Sequence, residues 1–342
     1  MLVPQTGQRP APRLAAVDCV RGGAVLCMIL LHAFDSFGSA ATKKSFYGDL
    51  SYYLGGGAAP MFLALAGLAT SLAITQGAGA MFRRGVEIWL LSLLFRIQEW
   101  ALGGDGSYSG MLLRVDVLNC IGLSILLCVL VHRLARHHEA TALAVTGLIT
   151  VLVTPLIAKA DWLANVPGPL RHHLGGPPQF ALFPLFPWAG VALLGAALGA
   201  YATKDGKAHT ATRLFGLAKW LFVAYPLIFL VRALFPGPLA FSRTNIHPVF
   251  TLERTALALG LLWPASLYLE RTTRFVSTFT LLGRRSLVIY WVHVELCYGL
   301  YFHRYKGTFD WPATLAFTLA MMAFCTALAF LPASAHLKRT PA

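Results

Sequence analysis

Runs of about 20 mostly apolar residues recur from one end of this 342-residue chain to the other, and no other feature restricts its folding as much. Runs of that length match the thickness of a bilayer's hydrocarbon core. Backbone N–H and C=O groups cannot go unpaired there, so such runs must be helices rather than open strands. The expected spans are 15–36, 53–75, 85–103, 112–132, 140–158, 184–203, 214–234, 250–269, 277–302 and 311–333. Composition agrees: 57% of residues are hydrophobic and only 12% are charged, where a soluble domain needs roughly twice that charged fraction. The sequence therefore predicts an all-α, polytopic integral membrane bundle of about ten helices. It forms one domain over 1–342, with a tail at 1–14 and a long outer loop at 159–183. That loop carries Pro167, Pro169, Pro177 and Pro178, too many prolines for a continuous helix.

The net charge is +14. In a soluble protein this balance would suggest nucleic acid. Here no basic helix with interleaved aromatics supports that partner, and the cations fall mainly in short segments between apolar runs. They read as orientation signals and as contacts to anionic lipid headgroups. Arg9, Arg13, Arg83, Arg84, Arg133, Arg136, Lys204, Lys207, Arg213, Arg271, Arg274, Lys338 and Arg339 fall on one side. The opposite loops are poorer in cations, so both termini are expected in the cytoplasm. The first run carries Asp18, Arg21 and His32 without a small-residue cleavage site, so it is expected to be a span and not a cleaved leader. Cys19, Cys27, Cys120, Cys128, Cys297 and Cys325 all lie inside apolar runs, form no CxxC pair, and read as small packing residues. His137–His138 and His172–His173 are adjacent pairs whose rings fall on different helix faces, so no metal site is expected. The chain also lacks a P-loop, an H-E-x-x-H and a G-x-S-x-G.

Ionisable groups inside spans are costly and mark function by default. In the first span Asp18, Arg21, His32 and Asp35 fall within an arc of about 100°, with Arg21 and His32 only about 20° apart around the helix and about 16 Å apart along it. This polar stripe connects the two ends of the helix. Arg96 and Glu99 lie three apart in the third span, and Arg114, Asp116 and Asn119 open the fourth. Glu253–Arg254 reads as a structural ion pair. In the ninth span Ser286, Tyr290, His293 and Cys297 share a face. Together these groups imply a polar interior. A histidine beside a carboxylate suits a general base, and arginine near the cytoplasmic mouth suits a phosphate. The set fits a transferase that takes an activated donor from the cytoplasm and delivers its group outward. It also fits a proton-coupled transporter of a small polar solute, where His and carboxylates form a relay.

The stretch Arg13-Leu-Ala-Ala-Val-Asp18-Cys-Val-Arg21-Gly22, followed by ten residues between Arg21 and His32, resembles the opening span of membrane acyltransferases of the acyltransferase-3 family. The fuller pattern is similar to the bacterial relatives of heparan-α-glucosaminide N-acetyltransferase. It includes Pro60-Met-Phe-Leu, Val117-Leu-Asn-Cys-Ile-Gly122, Phe186-Pro-Trp-Ala-Gly-Val-Ala-Leu-Leu-Gly195 and Gly283-Arg-Arg-Ser286-Leu-Val-Ile-Tyr290-Trp-Val-His293. The resemblance implies a multi-pass protein of the bacterial inner membrane. It would use acetyl-CoA or another acyl-CoA as donor and acylate an amine or hydroxyl, often on a sugar, on the other side. Arg21, His32 and His293 are the positions that carry over. The eukaryotic enzyme's proposed active histidine lies in the first outer loop, whereas Phe37 to Tyr52 here contain none. Either His32 does that work or the reaction has changed. The resulting expectations place His32, Asp35, Arg21 and Asp116 in catalysis, with Asp35 or Asp116 orienting His32. Arg21, Arg284, Arg285 and Ser286 would lie at the donor, and His293, Arg96, Glu99, Asn119 and Tyr290 at the acceptor. Assembly into a homo-oligomer is compatible with the sequence.

Overall fold

A computed structural model describes residues 14–74, 77–103, 114–175, 182–234, 247–271 and 274–331. Among the described residues the secondary structure is helical, joined by short turns and linkers, and no strand forms. The helices are α1 (Ala15–Phe37), α2 (Ala40–Lys43), α3 (Phe46–Gly55), α4 (Ala58–Ile74), α5 (Ala78–Gly103) and α6 (Val117–Leu134). They continue with α7 (Glu139–Leu152), α8 (Thr154–Ala158), α9 (Gly168–Leu174), α10 (Leu185–Thr203) and α11 (Thr210–Leu234). The last are α12 (Pro248–Gly260), α13 (Leu262–Arg271), α14 (Arg274–Arg284), α15 (Ser286–Tyr298) and α16 (Trp311–Phe330).

Among the described residues, seven segments are long and apolar enough to cross a bilayer: α1, α3 with α4, α6, the stretch Arg136–Ala158, α10, α11 up to Leu230, and α16. The other three expected spans also lie on helices, with identifiable differences. Helix α5 has the length but carries Arg83, Arg84, Glu87, Arg96 and Glu99. The run 250–269 is divided between α12 and α13, and 277–302 between α14 and α15 at Arg285. The described part of the loop 159–183 forms a 3-10 turn over Asp161–Asn165 and the short α9, as its prolines predict. Pro177 and Pro178 lie outside the described residues, as do Arg9, Arg13, Lys338 and Arg339 among the orientation signals.

Close helix crossings organise the bundle, and small residues permit them. At Gly67 of α4 an added Cβ would collide with the carbonyl of Ala192, and at Gly195 of α10 with the carbonyl of Ala64. The contact is reciprocal, with Ala64 and Gly67 facing Ala192 and Gly195. The α1–α14 crossing repeats the device: Gly22 meets the Phe279 carbonyl and Gly283 the Asp18 carbonyl. Gly55 lies against Cys27 and Leu31 of α1, so the glycine run at 55–57 allows a close approach. Helices α1, α4 and α10 are therefore central, whereas α7 and α11 leave most of their surface exposed. All six cysteines are free thiols, with five buried and Cys27 half-buried. Arg254 donates to the Tyr53 carbonyl (3.1 Å) and lies over the Tyr53 ring at 4.5 Å.

Candidate active site

The α1–α14 crossing brings three charged side chains of distant sequence together. Asp18, buried in the first turn of α1, accepts from Arg21 Nη1 at 3.3 Å and from Arg284 Nε at 3.4 Å. The carboxylate thus fixes two guanidinium groups at the entrance of a cavity of about 370 Å³. Arg84 joins them there, held by Glu87 at 3.3 Å. Inside the entrance the walls turn apolar, with Phe62, Ile88, Ile121 and Leu287. Ser286 also lines the cavity, and Tyr290 closes the far end from α15. A basic mouth over an apolar trough matches a ligand with phosphates at one end and a less polar arm at the other.

One turn beyond Tyr290, α15 meets α1. His32 Nδ1 lies 3.0 Å from His293 Nε2, and the two rings stack at 14° with centroids 5.1 Å apart. Their partners fix the proton positions. His293 Nδ1 lies 2.7 Å from the Ile289 carbonyl, which can only accept, so that nitrogen carries the proton. Neutral His293 then offers a lone pair at Nε2, and His32 donates from Nδ1. Neutral His32 is left with its lone pair on Nε2, the atom a general base would use. His293 is fully buried, while His32 is only partly covered.

Towards the other end of α1 the same two helices are tied twice more. The Ser36 hydroxyl donates to the Cys297 carbonyl. The Tyr298 hydroxyl donates to Asp35 at 3.0 Å, and its ring packs edge-on against His32 at 5.3 Å. Lys306, beyond the helix, donates from Nζ to the Tyr298 and Gly299 carbonyls at 2.7 and 2.9 Å. Partial burial lowers the Lys306 ammonium's pKa from its ordinary value. Asp35 itself is exposed, 3.9 Å from Lys43. It meets His32 through the Tyr298 ring, and His32 Nδ1 faces His293.

A second polar cluster joins α5 to α6. Arg96 is buried, donates to Asp116 at 2.6 Å from Nη2 and pairs with Glu99 through Nη1. Asp116 and Asn119 form the capping box that starts α6, and the Asn119 amide donates to Ser92 Oγ at 2.6 Å. Gln98 reaches α15 by accepting from Trp291 Nε1 (2.8 Å) and donating to Glu295 (3.0 Å). Tyr290 stands between the clusters, edge-on to His293 at 5.8 Å.

The structure thus unites Arg21, Arg284, Ser286 and Tyr290 in one cavity, and His32 with His293 beside it. Asp116, Arg96, Glu99 and Asn119 are joined to one another in a network of their own. Arg285 is turned away and donates to the Leu331 carbonyl at 3.2 Å. Two residues escape sequence reasoning. Arg84 looks like an orientation charge, although its place at the start of a span puts it level with Arg21. Tyr298 carries no sequence signal beyond following His293 by five residues.

Residues 13–230, well over half of the chain, match a family model described as heparan-α-glucosaminide N-acetyltransferase, catalytic. That stretch includes Arg21, His32, Arg84, Arg96 and Asp116, whereas Arg284 and His293 lie beyond it. No curated protein matches the chain.

Proposed function

Since the chain belongs to the heparan-α-glucosaminide N-acetyltransferase family, we propose that it is a multi-pass acyltransferase of the bacterial inner membrane with both termini in the cytoplasm. It takes an acyl group, acetyl in the simplest case, from acyl-CoA on the side of Arg21, Arg84 and Arg284. It delivers that group to an amine or hydroxyl of a sugar-containing acceptor on the opposite side. One observation carries this reading: a cavity with three arginines at its mouth ends at Tyr290, one turn below the His32–His293 pair on α15.

The fit to a CoA-type donor rests on that lining. Arg21, Arg84 and Arg284 would hold phosphates, and Phe62, Ile88, Ile121 and Leu287 would hold the uncharged arm. The donor, when bound, supplies an acyl group activated as a thioester. His32 Nε2 takes the proton of the acceptor N–H or O–H as the acceptor atom bonds to the acyl carbon. As the C–S bond breaks, His32 returns that proton to the departing sulfur. His293 holds the His32 ring and its tautomer, and Tyr290 offers a hydroxyl at the cavity end towards the acyl oxygen.

Purified protein with labelled acetyl-CoA and a panel of amino-sugar and hydroxyl acceptors tests this reading. Labelled product and free CoA are expected. His32→Ala is expected to lose about 10²–10⁴-fold in rate while keeping its thermal unfolding profile. Full activity in a folded His32→Ala variant would overturn the assignment.

A further inference from the structure

A second crevice, of about 500 Å³, shares no lining residue with the cavity just described. It is the gap between α7 and α11, floored by α10 and α12. Its walls are almost wholly aliphatic, with Ala144 and Leu148 on α7, Ala197 on α10, Leu221 on α11 and Leu252 on α12. Thr141, Tyr201 and Thr255 are the polar residues of the lining, and the Thr255 hydroxyl is satisfied by the Thr251 carbonyl at 2.8 Å. Such a slot between the two most exposed spans opens to the hydrocarbon, where a chain of methylenes fits it and water does not.

One end of the crevice is chemically different. Tyr201 lines it, is 44% exposed, and lies under the Arg213 guanidinium at 5.8 Å. Tyrosine at this depth marks the headgroup level. Arg136 precedes α7 by one short turn and Lys204 follows α10, both exposed at the same end. The acidic residues nearby are engaged: Glu139 with His132 at 2.9 Å, and Asp205 with Arg213. Arg213 is itself spent on Asp205, so Arg136 and Lys204 are the cations that leave the rim positive.

We propose that this crevice is a binding site for one anionic phospholipid from the leaflet on the side of Arg136 and Lys204. One acyl chain lies between α7 and α11, and the phosphate sits at the Arg136–Lys204 side of the rim. A basic pocket between spans is the arrangement that selects anionic headgroups over zwitterionic ones. The apolar slot adds a chain-length contact that a surface patch of cations lacks. The inference requires only that the chain spans a bilayer, and it stands apart from the acyl-transfer reading.

Native mass spectrometry of the full-length protein in detergent, titrated in parallel with phosphatidylglycerol and phosphatidylcholine, tests it. The wild type is expected to retain phosphatidylglycerol preferentially, one molecule per chain. Arg136→Ala with Lys204→Ala is expected to weaken phosphatidylglycerol retention by about fivefold for each cation removed, leaving phosphatidylcholine unchanged. Ala144→Phe, which fills the slot, is expected to weaken retention of both lipids. Equal retention of the two lipids by the wild type, or unaltered phosphatidylglycerol retention in the two-cation variant, would overturn the site. That variant changes only exposed side chains, so it decides the matter even if Ala144→Phe fails to fold.

Discussion

His32 Nδ1 and His293 Nε2 lie 3.0 Å apart, although 261 residues separate them in the chain. The backbone carbonyl of Ile289 sets the tautomer of the second ring and, through it, that of the first. The two histidines therefore act as one unit, and their variants are expected to be non-additive. In the proposed reaction His32→Ala removes the base, and His293→Ala frees the His32 ring and its tautomer. The double variant should be no slower than His32→Ala alone. Initial rates of acetyl transfer for the four proteins give this cycle, and independent, additive losses would show that the rings do not act together.

The proposed donor site is the arginine-lined mouth of the cavity, at the other end of α1 from His32. Arg84→Ala and Arg284→Ala are each expected to raise the KM for acyl-CoA about tenfold, the size of a lost charge-assisted hydrogen bond, with kcat nearly unchanged. Steady-state kinetics at varied acyl-CoA separates the two parameters. Arg285→Ala serves as the contrast, because its guanidinium goes to Leu331 and not to the cavity. It should leave that KM unaltered.

Arg96 compensates two carboxylates in a buried setting. Arg96→Met strands Asp116 and Glu99, and a loss of about 3–5 kcal/mol of stability is expected. Thermal unfolding in detergent would report it as a large fall in Tm. Adding Asp116→Asn and Glu99→Gln to the same protein should recover much of the loss, since no uncompensated charge remains. Failure of the triple variant to recover would show that packing of the guanidinium, not charge, holds α5 to α6.

At the α4–α10 crossing the backbones themselves are in contact. Gly67→Leu or Gly195→Leu must push the helices apart, because the obstruction is a carbonyl and not the tip of a flexible side chain. A loss of about 1–3 kcal/mol or more is expected, seen as lower Tm and aggregation on size-exclusion chromatography. Gly23→Ala, where an added Cβ meets nothing within 4 Å, should be tolerated.

Much of the architecture follows from local sequence. An apolar run of span length can only become a helix in lipid, so the positions of α1, α4, α6, α10 and α16 were legible from hydropathy alone. The polar stripe on α1 was legible too, since helical periodicity places Arg21 and His32 on one face whatever surrounds them. Hydropathy averages over a window, however, and does not register a local interruption. The breaks at Leu261 and Arg285 and the charge along α5 separate the seven apolar spans from the ten expected runs for that reason.

Partner choice lay beyond the sequence. Within α1, Asp35 follows His32 by three residues, and that spacing favours a contact between them. The fold gives His32 to His293 instead and Asp35 to Tyr298, because Gly22 and Gly283 let α1 and α14 approach backbone to backbone and carry α15 along the same face. Asp116 was equally eligible as an orienting carboxylate, and a buried Arg96 claims it. The sequence by itself determined that the chain spans a membrane and that it carries acid, base and cation on interior faces. Only tertiary structure decided which of these meet, because side-chain pairing across helices depends on crossing points fixed by glycine and alanine contacts far from the paired residues in sequence.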